Sequence, residues 1–316
     1  MSDYLEFRLL KYILAVAETL NFTRAAQRLF LAQPSLSKQI RDLEIDIKFP
    51  LFERSRDGIR VTNAGRIVIA YASNTLRERD EMLSMARAVH LGEVRPLRLG
   101  FSSFINANLL QTFRQSYEEM FPGCEIQLAS GDPMLILQRL NQRRLDCAVL
   151  TMPIDTGVYN VQQIAQSPLA VCMRSDDTLA NRARLDIQEV ADRIKIFRDP
   201  ELHPLAHSRL VEMFSDVGIP LHLEHSARTS SDIQWMVKAG YGLALVDQLL
   251  PLESGLITRP MAGINWTTDT AFVHQSRADH IALPFIERFL QEDWKNLHRK
   301  KPASSSVRPQ QLKLLI

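Results

Sequence analysis

Residues 21–41 (NFTRAAQRLFLAQPSLSKQIR) carry four formal charges, Arg24, Arg28, Lys38 and Arg41, with no acid among them. The span reads as two short helices and a tight connection. Asn21 or Thr23 caps the first helix, Ala25, Ala26 and Leu29 form its small inner face, and Leu31, Ala32 and Gln33 turn the chain. Pro34 falls in the first turn of the second helix, where its missing N–H leaves no bond unmade. There Leu36, Ile40, Leu43 and Ile47 recur at i, i+4, i+7 and i+11 as one apolar stripe. At about 100° per residue, Pro34, Ser37, Lys38 and Arg41 lie on the opposite side. A helix with one core face and one face of short polar and cationic groups suits a DNA major groove. Ser37 can donate or accept, Lys38 and Arg41 can reach guanine edges or phosphates, and Gln33 can pair bidentately with adenine. A solvated amphipathic helix pair in some unrelated domain would show the same periodicity.

Residues 51–62 (LFERSRDGIRVT) alternate and turn at Asp57-Gly58, a hairpin pattern. A short hairpin after a helix-turn-helix is a wing, and Arg54, Arg56 and Arg60 make it basic enough for a phosphate backbone or a minor groove. Upstream, Leu9, Leu10, Ile13, Leu14 and Ala17 supply a first helix to close the small core. The run FTRAAQRLFLAQPSLSKQIRDLE, then PLFERS and VTNAG, resembles the N-terminal signature of LysR-type transcriptional regulators over most of residues 5–65. The resemblance implies that Gln33, Pro34, Ser37 and Lys38 lie at DNA and that Arg54 is in the wing; Arg41 is added from the helical face. With Thr23, Arg24 and Arg56 these make up the expected DNA-binding set. One departure is local: Ile47-Lys48 stands where the family usually has Leu-Gly. A residue other than glycine in a left-handed cap there costs roughly 1 kcal/mol, and Lys48 adds a cation beside the DNA.

The chain has 316 residues, enough for two or three domains, and a net charge of +2, so any DNA affinity comes from a local patch and not from a global field. No apolar run approaches the length needed to span a bilayer, and the opening Met-Ser-Asp-Tyr-Leu-Glu lacks the basic and apolar regions of a signal peptide; a cytoplasmic protein is expected. Cys124, Cys147 and Cys172 sit among apolar residues without a motif, and read as small buried hydrophobes in a reducing compartment.

From Thr62, its N-cap, to about His90 the chain reads as one long helix. Ile69, Ala72, Leu76, Leu83 and Ala86 follow a heptad seam broken at Arg79, and a second apolar edge runs Ile67, Tyr71, Met82, Met85, Val89. A helix apolar on two sides wants two neighbours, its own winged domain and the same helix of a partner; the family resemblance implies the dimerisation linker. Gly92–Pro96 is the next boundary. Beyond it, strand candidates at residues 97–101, 125–130, 147–151, 169–173, 195–198, 242–246 and 270–274 alternate with helical stretches such as 133–143 and 231–238. That alternation argues a mostly parallel sheet with helices on both faces.

The second half, through RLGF, RRLDCAVL and MVKAGYGLALV, resembles the family's effector domain, built like a type II periplasmic solute-binding protein; the family commonly has Gly where Arg143 stands. The expected plan is a winged helix-turn-helix domain (1–61, all-α with a β-wing), a linker helix (62–91), an α/β effector domain (92–300) and a basic, disordered tail (301–316). Within the effector domain the resemblance implies lobe I at 93–167 and 268–300, lobe II at 168–267, and a ligand in the cleft between them.

In open α/β sheets ligands lie beyond the carboxyl ends of the strands. Those ends carry Ser102, Ser103, Ser130, Gly131, Thr151, Arg198, Thr229, Ser230 and Ser231. Hydroxyls, helix-start N–H groups and one guanidinium suit a small organic acid, although any one of these Ser and Thr residues is equally an ordinary helix cap. No GxGxxG, phosphate loop, HExxH or GxSxG occurs. His203 and His207 are four apart, but Pro204 lies between them and no partner ligand is evident, so no metal, cofactor or catalysis is expected. The reading is a regulator of promoter DNA controlled by an effector. The resemblance implies dimers that assemble to tetramers, and contact with RNA polymerase is expected. The rival is a solute-binding domain fused to a nucleic-acid anchor, without regulation.

Overall fold

The computed structural model describes residues 5–55, 58–292 and 294. The expected C-terminal tail therefore lies outside the described residues. The chain divides into two compact units, Met1–Glu93 and Val94–Ile316.

In the first unit, α1 (Phe7–Thr19), α2 (Phe22–Arg28) and α3 (Gln33–Ile47) precede a hairpin of β1 (Phe52–Ser55) and β2 (Gly58–Val61) and a long α4 (Asn63–Leu91). Leu10, Ile13, Val16, Ala25, Ala26, Leu36, Ile40, Leu43, Leu51, Ala72 and Leu76 form one buried cluster drawn from all four helices. Asn21, not Thr23, caps α2: its Oδ1 accepts from the N–H groups of Thr23 and Arg24 at 2.9 and 3.0 Å. The turn into α3 falls earlier than the residue pattern indicates. Phe30 takes a left-handed conformation (φ 56), Leu31 N–H donates to the Ala26 carbonyl and Phe30 N–H to that of Gln27, while Gln33 already begins α3. That is a Schellman closure, hidden in the sequence because no glycine marks it.

The wing is tied to α3 by Glu44, whose Oε1 accepts from the backbone N–H of Leu51 and Phe52 at 2.7 and 3.0 Å. Ser55 pairs with Gly58, so the connecting residues are 56 and 57, which are not described. Thr62 caps α4 by accepting from Gly65 N–H at 2.8 Å while donating to the Pro50 carbonyl. A Cβ on Gly65 would meet the Leu51 carbonyl oxygen at 2.3 Å, so the helix enters this close only as glycine. Along α4, Ile69, Ala72 and Leu76 pack into this unit's own core. Beyond that core Leu83 and Ala86 of the seam are exposed, as are Ile67, Tyr71 and Met82 of the second apolar edge, whereas Met85 is buried.

The second unit contains β3 (Leu97–Ser102), α5 (Ala107–Met120), β4 (Ile126–Gly131), α6 (Pro133–Asn141), β5 (Cys147–Thr151), β6 (Tyr159–Arg174), α7 (Ile187–Val190), β7 (Ile194–Arg198), α8 (Pro204–Asp216), β8 (His225–Ala227), α9 (Ser230–Lys238), β9 (Leu243–Asp247), β10 (Leu256–Pro260), β11 (Thr267–Gln275) and α10 (Leu283–Glu292). The strands run in the order β4-β3-β5-β11-β6-β9-β7-β8, with β10 on β6. The expectation of a mostly parallel sheet needs correction. Pairings β3/β4, β3/β5, β7/β8 and β7/β9 are parallel, whereas β11 runs antiparallel to β5 and β6, and β6 antiparallel to β9 and β10. The cause is that the two parallel halves are joined by returning strands. The first half of β6 (residues 159–168) pairs with β11, and the second (169–174) with β9 and β10.

Both faces of the second half are covered. Val171 and Met173 pack with Leu210 and Phe214 on one side, while Cys172 packs with Ile196, Ile233 and Val246 on the other. In the first half Ile136, Leu140 and Leu145 cover Ala148, Leu150 and Val273.

Helix α6 ends in the same Schellman pattern, Arg144 N–H to the Arg139 carbonyl and Arg143 N–H to that of Leu140, with Arg143 at φ 54. Helix α4 closes identically on Gly92 (φ 67). Arg143→Gly is therefore expected to stabilise the protein by about 1 kcal/mol, read as a higher urea midpoint at unchanged slope; no gain would mean that the arginine side chain compensates its backbone strain.

Candidate functional site

The polar side of α3 is laid out as its spacing predicts. Leu36, Ile40 and Leu43 are buried, Pro34, Lys38 and Arg41 are exposed, and Gln33 and Ser37 are half-buried at the edge between the two sides. Thr23 and Arg24 are exposed at the start of α2, their backbone N–H groups already held by Asn21. Lys48 ends α3 at φ 65, so the residue that replaces the usual glycine does take the left-handed conformation. Arg54 lies on β1 opposite Ile59; Arg56 lies outside the described residues. One helix thus presents an amide, a hydroxyl and two long cations along one side, while its other side is fixed in a core. Each well-made bidentate pairing of such groups with a base edge is worth about 1–3 kcal/mol of discrimination.

The second unit contains a cavity of about 290 Å³ whose walls come from the start of α6, the segment after β5, the end of β7 and the start of α8. Arg198, the last residue of β7, lines it and is only 8% exposed. Its Nη1 donates to Thr151 Oγ1 at 3.2 Å and its Nη2 to Thr268 Oγ1 at 3.5 Å, while the guanidinium carbon sits 4.7 Å from the centre of the Phe104 ring. Thr151 Oγ1 also lies 3.2 Å from Ser102 Oγ. Among the described residues no carboxylate forms an ion pair with Arg198. Burial pulls its pKa down to about 10, against the weaker opposing pull of Asp247, whose own carboxyl is pushed up by burial.

Beside it His203, 3% exposed, also lines the cavity. Its ring meets Phe104 edge-on at 5.0 Å, and its Nε2 has no hydrogen-bond partner. Burial, reinforced by the positive charge of Arg198, drives its pKa down to about 4, so the imidazole is neutral at pH 7.

Of the expected effector-binding residues, Thr151 and Arg198 line the cavity and Ser102 joins them through Thr151. The others lie elsewhere. Ser103 bonds the Gly131 carbonyl through both its N–H and its hydroxyl, and Ser130 is exposed on β4. Thr229 and Asp232 form a reciprocal capping box on α9, whose first residues are Ser230 and Ser231. The ordinary-cap alternative describes that Thr229. Sequence spacing did not single out His203, except as one half of an improbable metal pair, or the apolar walls. Among the described residues no group of three or more His, Cys, Asp or Glu is placed to hold a metal.

Cys147 and Cys172 are buried, and burial pushes both thiols up, that of Cys172 to about 12; Cys124 is half-buried and is pushed up by the same cause. The thiolate is disfavoured at all three. Among the described residues no helix is long and apolar enough to cross a membrane.

A head that presents a polar helix face, followed in the chain by an α/β unit with a partly open cavity, is the layout of a two-part ligand-responsive DNA-binding class. Residues 7–66 match the model of the bacterial regulatory helix-turn-helix proteins of the lysR family, and residues 90–293 match that of the LysR substrate binding domain. The chain belongs to the LysR family and is a LysR-type transcriptional regulator with an effector-binding domain. It is 29% identical over 248 residues to the HTH-type transcriptional regulator BudR of Raoultella terrigena, covering 77% of this chain and 85% of that one. Its fold is similar to that of CbnR, a LysR family transcriptional regulator (TM-score 0.57, 19% identity, 90% of this chain and 100% of CbnR). It is also similar to full-length CbnR complexed with its target DNA (TM-score 0.55, 19% identity, 91% and 99%).

The buried neutral His203 makes a pH prediction. Its folded pKa lies below the 6.5 of an ordinary histidine, so between the two values the unfolded chain binds a proton that the folded chain excludes. Its contribution is intact above pH 6.5 and is lost as pH falls toward 4, up to about 3 kcal/mol over that window. His203→Phe should flatten the fall in unfolding free energy between pH 6.5 and 4; an unchanged profile would mean that the ring is protonated without cost.

Proposed function

We propose that this chain is a cytoplasmic, non-enzymatic regulator that reads a specific promoter sequence through α3 and is switched by an organic-acid anion seated at Arg198. The observation that carries the switch is the cation itself. A buried guanidinium whose near contacts are hydroxyls and aromatic rings, with only a weaker pull from Asp247, is costly unless an anion joins it, and a carboxylate offers two charge-assisted bonds in the fork geometry arginine presents. We take the effector domain as two lobes, 93–167 with 268–300 and 168–267. Arg198 of lobe II bonds Thr151 and Thr268 of lobe I, so an anion there would act on how the lobes meet.

DNA reading is assigned to Thr23, Arg24, Gln33, Pro34, Ser37, Lys38, Arg41, Arg54 and Arg56. The CbnR structure named for its target DNA, and BudR and other relatives named as transcriptional regulators, support this reading. The exposed Ile67, Tyr71, Met82 and Leu83 of α4 support pairing with a second copy, with two such dimers forming a tetramer, and RNA polymerase is the partner through which occupancy becomes transcription. Coupling of this kind is typically about 1–3 kcal/mol, a promoter response of order tenfold.

The test is a reporter driven by a genomic fragment that the purified protein retains, read with a panel of organic acids. Wild type should respond to an acid. Arg198→Ala should keep the fragment and lose the response, and Ser37→Ala should lose the fragment. An unchanged response in Arg198→Ala would contradict the anion switch.

A further inference from the structure

We infer that the cavity selects a monocarboxylic acid with an apolar body, held by its carboxylate on Arg198 and Thr151 and by a second polar contact on His203, and discriminates against dicarboxylic acids. This rests on the reading of Arg198 as an anion seat and narrows it to a ligand class.

Three features of the site converge. First, the wall is apolar: Met134, Leu137, Pro153, Ile154, Leu202 and Leu205 face the same space as Arg198. Such a lining rewards a hydrocarbon body and leaves the hydroxyls of a sugar acid or hydroxy acid without partners. Second, the charges are unequal. Arg198 is the one permanent cation among the described lining residues, whereas Asp155 lines the cavity and Asp132 and Asp199 both bear on His203. Backbone bonds hold these carboxylates: Asp132 accepts from Leu135 N–H, Asp155 from Gly157 N–H, and Asp199 from Glu201 and Leu202 N–H, while Asp199 also pairs with the exposed Arg228 at 3.8 Å. A second carboxylate on the ligand would face these carboxylates and find no second cation among the described lining residues. Third, His203 is a buried polar ring with one nitrogen unmatched, seated next to the cation and against Phe104. A buried polar atom left without a partner is a standing cost. Nε2 is itself enclosed, so a ligand oxygen near Arg198 reaches it with a turn of the ring and then supplies that partner without adding charge.

The experiment uses the full-length protein at pH 7 and matched probes, hexanoate against hexanedioate and 4-methylbenzoate against benzene-1,4-dicarboxylate, with 1-hexanol as the uncharged control. Binding is read by calorimetry and thermal shift. Each monocarboxylate that fits should bind at least tenfold more tightly than its dicarboxylate partner and should lose binding in Arg198→Gln. It should weaken severalfold in His203→Leu and recover in His203→Gln, which restores a polar group. A dicarboxylate that binds as tightly as its partner, with binding still lost in Arg198→Gln, overturns the selectivity but leaves the anion seat standing. Hexanol equal to hexanoate, or binding unaffected by Arg198→Gln, overturns the anion seat itself. Failure of every probe to bind counts against both. Unchanged affinity in His203→Leu overturns the second contact, and where that variant does not fold, His203→Phe replaces it.

Discussion

The interaction on which the ligand-binding half depends is a single buried charge supported from across a sheet. Arg198 ends β7 and, apart from the ring of its neighbour Phe197, its guanidinium meets groups from elsewhere: Thr151 from the end of β5, Thr268 from β11, and Phe104 from just beyond β3. The fold makes that meeting possible through β6, whose first half belongs to one set of strands and whose second half belongs to the other. Hydroxyls and a ring face can orient a guanidinium, but they do not neutralise it. The depressed pKa values of Arg198 and of the neutral His203 beside it are first of all effects of burial, and the charge of Arg198 lowers that of His203 further. A site built in this way is organised before its ligand arrives, which keeps the ordering cost of binding low.

The DNA-reading half relies on a different constraint, the close packing of small residues. Ala25 and Ala26 let α2 lie against α1 and α3 in a core of modest size. The rest is backbone fastening: Asn21 on α2, the Phe30 closure into α3, Glu44 on the first residues of the wing, and Thr62 with Gly65 at the start of α4. Phe30 itself is 95% exposed, so its place in the turn comes from backbone bonding and not from burial. Each fastening uses a main-chain partner.

How far the sequence foretells this depends on whether a feature is local. The two sides of α3, the cap at Thr62 and the end of α4 at Gly92 follow from helical period and capping chemistry within a few residues, and they were legible. Strand alternation also located β3, β5, β7 and β9 to within a residue. The first half of β6 was not legible, because Gln162, Gln163 and Gln166 are polar and Pro168 interrupts them; only pairing with β11, a hundred residues on, makes it a strand. Three residues of β8 are too few for a pattern. The left-handed turn at Phe30 lacks the glycine that would mark it, whereas those at Lys48 and Arg143 stand where the family resemblance places glycine. His203 was missed for a long-range reason as well: its burial comes from Phe104, ninety-nine positions away in the chain. Thr229 forms a capping box with Asp232, the local alternative that its residue type already offered.

The anion switch requires Arg198 to be a buried cation without a paired carboxylate and not a structural strut. Comparing the unfolding free energy of wild type and Arg198→Met, each without ligand at pH 7, tests it most directly. Replacing a buried charge that lacks an anion with an apolar side chain of similar length should leave stability unchanged or raise it. A loss of about 3 kcal/mol or more, the cost of breaking a buried ion pair, would contradict it and return Arg198 to the architecture of the fold.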